Sequence, residues 1–482
     1  MESKRKIYKL SDLVSLRNGA AIKQEYFTDD QCGIDLIKVS NFTKDSINIT
    51  GVTKVDIEHA KKWVSHRIKA NDILIATVGS WPPNWSSVVG KVVRAPTETQ
   101  GAIQNQNTCC VIPGDLVNQN YLYYLLKTKC FSEWVVNVAQ GSANQARVPV
   151  KKIGDFLVEL PPIDEQVKVS KTLDALDVKI TLNRQINQTL EQMAQALFKS
   201  WFVDFDPVVD NALDAGFFEQ DLEFSDELLR RAEARKAVRE SADFKRLPEE
   251  IRQLFPAAFE ECSEPSLGLG GWVPEGWLET KLSELVDTVS KTYPLKTVDE
   301  VIFLNTGDIE NGNFLHANFS KVDGLPGQAK KSIRKGDILY SEIRPKNKRF
   351  AYVGFESNNY VVSTKLMVLR AKDGFHPFFA YFLLTLNQTI DELQRIAELR
   401  SGTFPQITFN ELSLIKFILP STGGVMERFV SLYLEPFFEK SSSKRQENES
   451  LVNLRDTLLP KLISGEIQFN ENEAEIANAV LV

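Results

Sequence analysis

The residues Arg184-Gln185-Ile186-Asn187 return 261 positions later as Arg445-Gln446-Glu447-Asn448, with three of the four residue types unchanged. The same separation links the following pairs: Gln145 and Gln406, Val169 and Val430, Leu173 and Leu434, Leu190 and Leu451, and Leu197 and Leu458. Such a long period excludes a solenoid, whose repeats span about 20–50 residues. It predicts two equivalent halves in one chain, a plan that suits a two-fold partner such as duplex DNA or a pair of identical subunits.

A second periodicity follows the first half. Positions 169, 173, 176, 180, 183, 187, 190, 194, 197 and 201 alternate steps of four and three and are mostly apolar, which is typical of a coiled-coil seam. They predict one long helix from 163 to about 204, ending near Asp206-Pro207. A second long helix is predicted from Met426 to about Leu462, with Pro436 kinking it or delaying its start.

Two matched seams in one chain predict that these helices pair with each other. Each helix leaves its own half of the chain, so we expect the pair to be antiparallel. The residues expected to mediate the pairing are Leu173, Leu176, Ile180, Leu190, Leu197, Leu434, Leu451 and Leu458. The alternative is that each helix packs only on its own half.

Outside the helices, short β-type runs separated by turn residues predict mixed α/β bodies. The predicted fold class is α+β, with two pseudo-symmetric α/β domains joined by two long antiparallel coiled-coil helices. The predicted segments are a first domain at 1–160, a central long helix at 161–206, a connecting insert at 207–277, a second domain at 278–420, and a distal long helix with a C-terminal tail at 421–482.

The net charge of −7 weakly disfavours a nucleic-acid partner, but its distribution favours one. Residues 1–160 hold 20 Lys and Arg against 15 Asp and Glu, and residues 278–420 hold 18 against 16. Residues 161–277 are acidic, with 13 against 23. The basic surface therefore belongs to the two domains, and chance variation among segments is the alternative.

Three features predict a cytoplasmic protein without a membrane segment. No apolar stretch follows the N-terminal MESKRKIYKL, so we expect no signal peptide. The longest apolar run, 377–386, is too short to span a bilayer. The five cysteines form no C-x-x-C pair, which favours reduced thiols.

Several separate motifs, in order, resemble type I restriction-modification specificity subunits. They are ELPPIDEQ at 159–166, LFKSWFVDF at 197–205, LFPAAF at 254–259, VPEGW at 273–277 and LRDTLLPKLISGE at 454–466. The resemblance covers nearly the whole chain. At the end of the second half it departs from the family pattern, because PSTGG at 420–424 stands where a P-P-x-x-E-Q signature is expected.

The resemblance implies two target-recognition domains, each followed by a helical region. It implies double-stranded DNA as a partner, two methyltransferase (modification) subunits docked on the helices, and restriction (motor and nuclease) subunits outside them. It also implies that this chain binds no cofactor itself, while S-adenosylmethionine, ATP and Mg belong to the partner subunits.

The residues themselves predict no catalytic site. There is no G-x-x-x-x-G-K-S/T phosphate loop, and the nearest approach to an N/D-P-P-Y/F methyltransferase loop is SWPPNW at 80–85, where Trp81 precedes the prolines. The four histidines have no metal-ligand spacing, so we expect no metal site. These features favour a non-catalytic reader of DNA.

Two stretches of the first domain are candidates for DNA contact. In SWPPNW, an asparagine could read an adenine edge beside two aromatic rings, although tryptophans packed beneath a proline turn would give the same pattern. In GSANQAR at 141–147, small residues allow close backbone approach and amides can bond base edges, with a structural turn as the alternative. The candidate residues are Trp81, Asn84, Trp85, Ser142, Asn144, Gln145 and Arg147.

The second domain offers a basic loop, RPKNKR at 344–349, and SGTFPQ at 401–406. The loop suits phosphate contact and bidentate guanine contact, or it is a solvated charged turn. The candidate residues are Arg344, Lys346, Lys348, Arg349, Thr403 and Gln406. The two domains differ at these positions, as reading an asymmetric, bipartite target requires.

The sequence thus predicts the DNA-recognition subunit of a type I restriction-modification complex. An enzyme with its own methyltransferase or nuclease activity is the first alternative, and the missing cofactor loop argues against it. A coiled-coil scaffold without DNA recognition is the second alternative.

Overall fold

A computed structural model describes residues 5–82, 88–142, 145–421 and 424–467. The chain divides into two compact units. The first unit contains the described residues up to Arg184 and from Arg445 onward, and the second contains Gln185–Lys444. Each long helix is therefore shared between both units.

The first unit is built on a four-stranded antiparallel sheet in the order Val14–Asn18, Thr108–Pro113, Ile73–Ala76, Val92–Arg94. A smaller sheet includes one parallel pair, Ile34–Ile37 with Ile103–Gln104. The remaining strands are Lys6–Lys9, Phe27–Thr28, Lys54–Val55, Val78–Gly79, Gln140–Ser142, Gln145–Arg147 and Leu157–Leu160. The α-helices of this body are Leu10–Leu13, Ile57–Ala60, Gln119–Leu126, Lys129–Val138 and Val150–Gly154.

The second unit repeats that sheet order with Val286–Thr288, Leu366–Ala371, Ile338–Ser341, Phe350–Tyr352. It also repeats the parallel pair, as Glu300–Leu304 with Tyr360–Ser363. The remaining strands are Phe259–Glu261, Trp272–Pro274, Trp277–Lys281, Ile309–Glu310, Asn313–Phe314, Phe319–Lys321, Ala329–Ser332 and Lys416–Pro420. The α-helices are Asp206–Asp214, Asp226–Arg239, Glu249–Arg252, Leu282–Leu285, Pro377–Thr385, Asn387–Arg400, Phe409–Ser413 and Gly424–Phe429.

Each body begins and ends on one two-stranded antiparallel pair. In the first unit Lys6–Lys9 pairs with Leu157–Leu160, and in the second Trp277–Lys281 pairs with Lys416–Pro420. The entry and exit of each body therefore lie side by side, directly before a long helical region.

An aspartate that directly precedes the same strand pairs with a different arginine in the two units. Asp72 is 3.6 Å from Arg17, on the strand next to Thr108–Pro113. Asp337, which is fully buried, receives two hydrogen bonds from Arg370, at 2.8 and 2.9 Å. In the second unit Val289, whose N–H bonds the Val368 carbonyl, holds the place of Arg17. The arginine has moved to the neighbouring strand.

The central helix spans Ile163–Phe202, close to the predicted range. In the first unit its seam faces the distal helix, Glu435–Ser464. The Asn183 amide donates to the Asn448 side chain at 3.1 Å, and Asp177 accepts from Arg455 at 2.8 Å. Along these contacts the residue numbers of the distal helix fall as those of the central helix rise, so the two segments run antiparallel within this unit. A partly buried polar pair of this kind fixes helix register.

Charges also anchor these helices to the first body. Asp174 accepts from Arg94 at 2.8 Å and from the Tyr124 hydroxyl at 2.9 Å, and Tyr124 also reaches Asp177 at 2.8 Å. Burial would lower the pKa of Arg455, but hydrogen bonding and charge from Asp177 outweigh it, so that pKa is raised. Each of these partly buried carboxylates has cationic and hydroxyl partners, which offset the cost of burying a charge.

In the second unit aromatic rings, instead of charges, anchor the central helix. Phe198 is fully buried, with ring centroids 5.4 Å from Phe382 and 6.0 Å from Phe429. Trp201 contacts Phe429 at 5.1 Å and Tyr433 at 5.5 Å. These ring contacts pack the end of the central helix against the rings of Pro377–Thr385 and of Gly424–Phe429.

A π-helical turn, Val430–Leu434, separates Gly424–Phe429 from the distal helix. Pro436 follows directly, in the first turn of the distal helix. Proline has no N–H to donate to a carbonyl four residues earlier, so the local bonding pattern changes. The expected effect of Pro436 is thus an altered turn just before a helix that continues to Ser464.

The segment predicted as an insert packs through a ladder of ion pairs. Asp206, Asp210 and Asp214 on one helix face Arg231, Arg235 and Arg239 on the next, each pair 25 positions apart. Aspartates and arginines at i, i+4 spacing lie on single helix faces, which lines up the rungs. The Asp210–Arg235 contact measures 2.5 Å.

Candidate nucleic-acid interface

The two candidate stretches of the first unit are brought together by strand pairing. Val78–Gly79 pairs with Gln145–Arg147, placing Gly79 opposite Ala146. Gln145–Arg147 also pairs with Gln140–Ser142 in a hairpin. Gly79, Ser142 and Gln145 therefore lie together at one end of this small sheet.

Trp81 is half-buried and packs against the core of the first unit. Its indole N–H donates to the Ser142 carbonyl at 2.8 Å, which ties the two stretches together. This geometry favours a packing role for its ring. Asn84, Trp85 and Asn144 lie outside the described residues.

The pairing of these two strands explains why position 141 is a glycine. Gly141 has φ +147°, and a Cβ at this position would lie 2.1 Å from the Gln145 carbonyl oxygen. Gln145 and Arg147 are exposed on either side of the buried Ala146. Their side chains thus point away from the core, as strand alternation requires, and are available for external contact.

The second unit joins its candidate stretches in the same way. Ile343 and Gln406 form an isolated bridge, and the Arg344 N–H donates to the Pro405 carbonyl at 3.1 Å. Thr403 is exposed at the tip of the second stretch. Both units therefore assemble a candidate site from one loop near the third strand of the main sheet and one segment near residue 145 or 406.

The basic loop contains more structure than a solvated turn. Arg344 and Lys348 have φ of 44° and 52°, in the left-handed region that non-glycine residues seldom adopt, and Pro345 between them is buried. Backbone strain of this kind persists only where the surrounding structure enforces it. Here Gln394 accepts from the Lys346 N–H at 3.2 Å.

The four cationic side chains of the loop differ in their partners. Arg349 donates to the Ile309 carbonyl at 3.1 Å and lies 3.4 Å from Glu310, which turns it inward. Lys346 is 3.6 Å from Asp391, and Lys348 bonds Asn387 at 3.2 Å. The Arg344 side chain forms no ion pair with the described residues, so it is the member freest to contact a ligand.

Two further residues of this site were not among the predictions. Phe404 is 51% exposed beside Thr403, and an exposed ring can stack on a base or wedge between base steps. Lys365 lies 3.5 Å from Gln406 and 3.3 Å from Glu342. Phe404 stands within the quoted SGTFPQ motif, whereas only the tertiary fold brings Lys365 to it.

Lys331 lies behind this pair of loops. Its ammonium donates to the Thr364 and Leu366 carbonyls at 3.0 and 2.8 Å, on either side of Lys365. Burial lowers the pKa of Lys331, Glu342 acts in the opposite direction, and Lys365 lowers it further.

The residues predicted to pair the helices lie on the seams of each unit. In the first unit Leu173 and Ile180 are buried, Leu176 and Leu451 are half-buried, and Leu458 packs against the same core as Leu173. In the second unit Leu190 and Leu434 are buried, and Leu197 packs on the core that contains Leu434.

The described part of the chain offers no group of three or more His, Cys, Asp or Glu side chains able to hold a metal ion. No helix among the described residues is both long and apolar enough to cross a membrane. All five cysteines are free thiols, and burial raises the pKa of Cys109 and Cys110 to about 12.

Sequence comparison decides the family. The profile described as Type I restriction modification DNA specificity domain matches residues 2–192 and 274–451, which is most of the chain and both halves of the repeat. The chain belongs to this family. The resemblance seen in the sequence motifs is thereby confirmed, as is the predicted fold class of two mixed bodies with long antiparallel helices.

Individual members of the family match this chain either over part of its length or at low identity. The specificity subunit of the type I restriction enzyme HindI from Haemophilus influenzae is 40% identical over 183 residues, 38% of this chain and 39% of that protein. The MjaIX specificity subunit from Methanocaldococcus jannaschii is 24% identical, covering 76% of this chain and 73% of that protein. The match to the HindI subunit thus spans well under half of its length.

A solved structure also aligns with the chain. The S subunit of a type I restriction-modification system from M. genitalium aligns over 96% of both chains, with 13% identity and a TM-score of 0.43.

Proposed function

We propose that this chain is the DNA-recognition subunit of a type I restriction-modification complex and that each unit reads one half of an asymmetric, bipartite target. The observation that carries the proposal is the equivalent joining of loops in the two units. One scaffold presents Gln145 and Arg147 in the first unit and Gln406, Arg344 and exposed Phe404 in the second. Two different half-sites require the same backbone arrangement in both units, with different side chains on it.

Membership of the family supports the choice of partners. We propose duplex DNA, two methyltransferase subunits on the helical regions and restriction subunits beyond them, in a cytoplasmic complex. We further propose that the chain itself is non-catalytic, with S-adenosylmethionine, ATP and Mg held by those partners.

An exchange of one body tests the proposal. Residues 1–160 are replaced by the matching body of another family member, and methylated adenines are mapped in cells that carry the complete system. We expect one half of the methylated sequence to change and the other half to stay, because each unit carries its own loops. A change in both halves together would contradict separate reading.

The enzyme alternative is tested on the purified chain alone. Titration with S-adenosylmethionine is expected to give no stoichiometric binding. Clear one-to-one binding would show that this chain carries methyltransferase function itself.

A further inference from the structure

Two segments of the second unit, 290–297 and 328–335, contain no acidic residue. Backbone bonds bring them together: the Tyr293 N–H donates to the Lys330 carbonyl at 2.7 Å, and the Ser332 N–H donates to the Lys291 carbonyl at 2.8 Å. We call the surface that these segments form the basic edge. Its cationic residues are Lys291, Lys296, Lys330, Lys331, Arg334 and Lys335.

Five of the six charges on the basic edge point to solvent. Only Lys331 is half-buried. The exposed five form no ion pair with any residue that the structure describes. A row of unneutralised cations this dense raises the local positive potential and attracts a polyanion.

The corresponding part of the first unit carries fewer free cations, with exposed Lys69 at the position of Arg334 and Ala70 at the position of Lys335. Residues that precede the repeat element at 68–74 include Lys61, which pairs with Glu58 at 2.6 Å, and Lys62, which lies over the Tyr26 ring. Arg67 turns inward to the Gly101 carbonyl. Free cationic side chains are therefore denser at this position in the second unit than in the first.

The basic edge leads directly to the candidate base-reading loops. Lys331 bonds the carbonyls on both sides of Lys365, and Lys365 in turn approaches Gln406. A strand of nucleic acid lying along the edge would thus reach the loop that carries Gln406 and Phe404.

The composition of the edge fits phosphate better than protein. Protein interfaces are centred on aromatic and apolar side chains and are depleted in lysine. On this surface Tyr293 is buried and five of the nine exposed side chains are cationic, four of them lysines. Lysine binds phosphate as a flexible point charge without reading sequence.

We propose that the basic edge holds the sugar–phosphate backbone of duplex DNA, while the loops at 343–349 and 401–406 contact bases. The inference rests on the proposed function and assigns its second unit a separate phosphate-binding surface. The edge sets the position of the duplex and contributes the same affinity for every sequence.

The test removes three charges from the edge of the full chain, as Lys291→Gln, Lys330→Gln and Lys335→Gln together. The control variant removes three exposed charges elsewhere in the same unit, as Lys236→Gln, Lys245→Gln and Lys440→Gln. Dissociation constants are measured by fluorescence anisotropy between about 50 and about 200 mM KCl, on a duplex with the mapped target and on a scrambled duplex.

Each lost phosphate contact lowers the slope of log affinity against log salt by roughly 0.9, so we expect the edge variant to lose roughly 2.7 from its slope. Affinity should fall by the same factor on both duplexes, and the control should keep the wild-type slope. Far-UV circular dichroism and thermal melting should match the wild type, because the three side chains are exposed.

Other outcomes overturn the inference. An edge variant with the slope of the control would place the edge away from DNA. Loss confined to the target duplex would mean base reading instead of phosphate binding. Unchanged DNA binding with lost assembly on a partner subunit would assign the edge to an acidic protein. A wild-type chain without preference for the target would refute the proposed function itself, whatever the variant does.

Discussion

The central helix presents Asp174 and Asp177 to cationic partners in the first unit, Arg455 of the distal helix among them, and it presents Phe198 and Trp201 to aromatic rings in the second. The two regions attach the helix pair to the mixed body of one unit each. Charged anchors depend on pH and on complete pairing, whereas aromatic anchors depend on volume and fit. Duplication therefore preserved the apolar contacts of these helices, since Leu459 and Leu462 pack on the first core at the positions equivalent to Phe198 and Trp201. It did not preserve the charged contacts, because Phe438 and Ala194 stand at the positions equivalent to Asp177 and Arg455.

The aromatic anchor should be the more sensitive to loss of volume. Phe198→Ala removes a fully buried ring and should lower the free energy of unfolding of the second unit by about 3–5 kcal/mol. Hydrogen exchange resolved by peptide measures this in Pro377–Thr385, while Gln119–Leu126 of the first unit reports any effect there.

Met193→Ala is the matched control, since Met193 is 48% exposed on the same helix. It should change stability by less than about 0.5 kcal/mol. Equal effects of the two substitutions would contradict an anchor based on packing at Phe198.

Arg370, which pairs with Asp337 from a different strand than its first-unit counterpart Arg17, allows a second test of the difference between the two units. Arg370→Ala leaves the fully buried Asp337 carboxylate without its partner, and we expect a loss of about 3 kcal/mol in the second unit. Urea unfolding combined with hydrogen exchange measures the loss. The arrangement of the first unit can be introduced into the second by the double substitution Val289→Arg and Arg370→Ile. Ile is chosen because Ile112 of the first unit occupies the strand position equivalent to that of Arg370.

We expect the double variant to recover at least half of the stability lost in Arg370→Ala. Recovery would show that the two arginine positions are interchangeable within one frame. A double variant as unstable as the single one would mean that the surroundings of Asp337 have diverged too far.

The charged anchor should respond to pH. Lys127 at 2.8 Å and the nearby Arg455 lower the pKa of Asp45 to about 2, although burial opposes them. A carboxyl group whose pKa is depressed on folding stabilises the protein above its unfolded pKa, here near 4, and loses that contribution as the pH falls through 2. The shift corresponds to about 2 kcal/mol at neutral pH.

Asp45→Asn should therefore destabilise the first unit by about 2 kcal/mol at pH 7, and its deficit should shrink between pH 4 and about 2. Hydrogen exchange of Gln119–Leu126 across this range measures it. Asp115→Asn, at an exposed position, serves as control. A deficit that does not change with pH would show that Asp45 acts through shape and not through charge.

Local periodicity was sufficient to predict the repeat and the helices. The four–three spacing from Val169 to Trp201 depends on one helix face, so it could be read directly, and the helix ends at Phe202, as the nearby Asp206-Pro207 indicated. The mixed bodies followed from short apolar runs such as Ile73–Ala76. These features are set by residues close together in the chain.

The rest depends on contacts between distant residues. No local pattern shows that Gly79 lies opposite Ala146, or that Arg349 turns to the Ile309 carbonyl while Arg344 stays free. Leu176 occupies a seam position yet is only half-buried, since burial depends on the partner helix as well as on spacing. The assignment of individual side chains to bases or phosphates remains a prediction for both units.

The paired strands that open and close each body have a consequence for inheritance. Because Trp277–Lys281 and Lys416–Pro420 lie side by side, a gene segment that encodes this body can be exchanged for another without changing the span that the flanking chain must bridge. Under the proposed function, a single recombination event would replace half of the recognised sequence at once. New specificities would then arise by shuffling of inherited blocks, and intermediate forms with a half-altered reading surface need never exist.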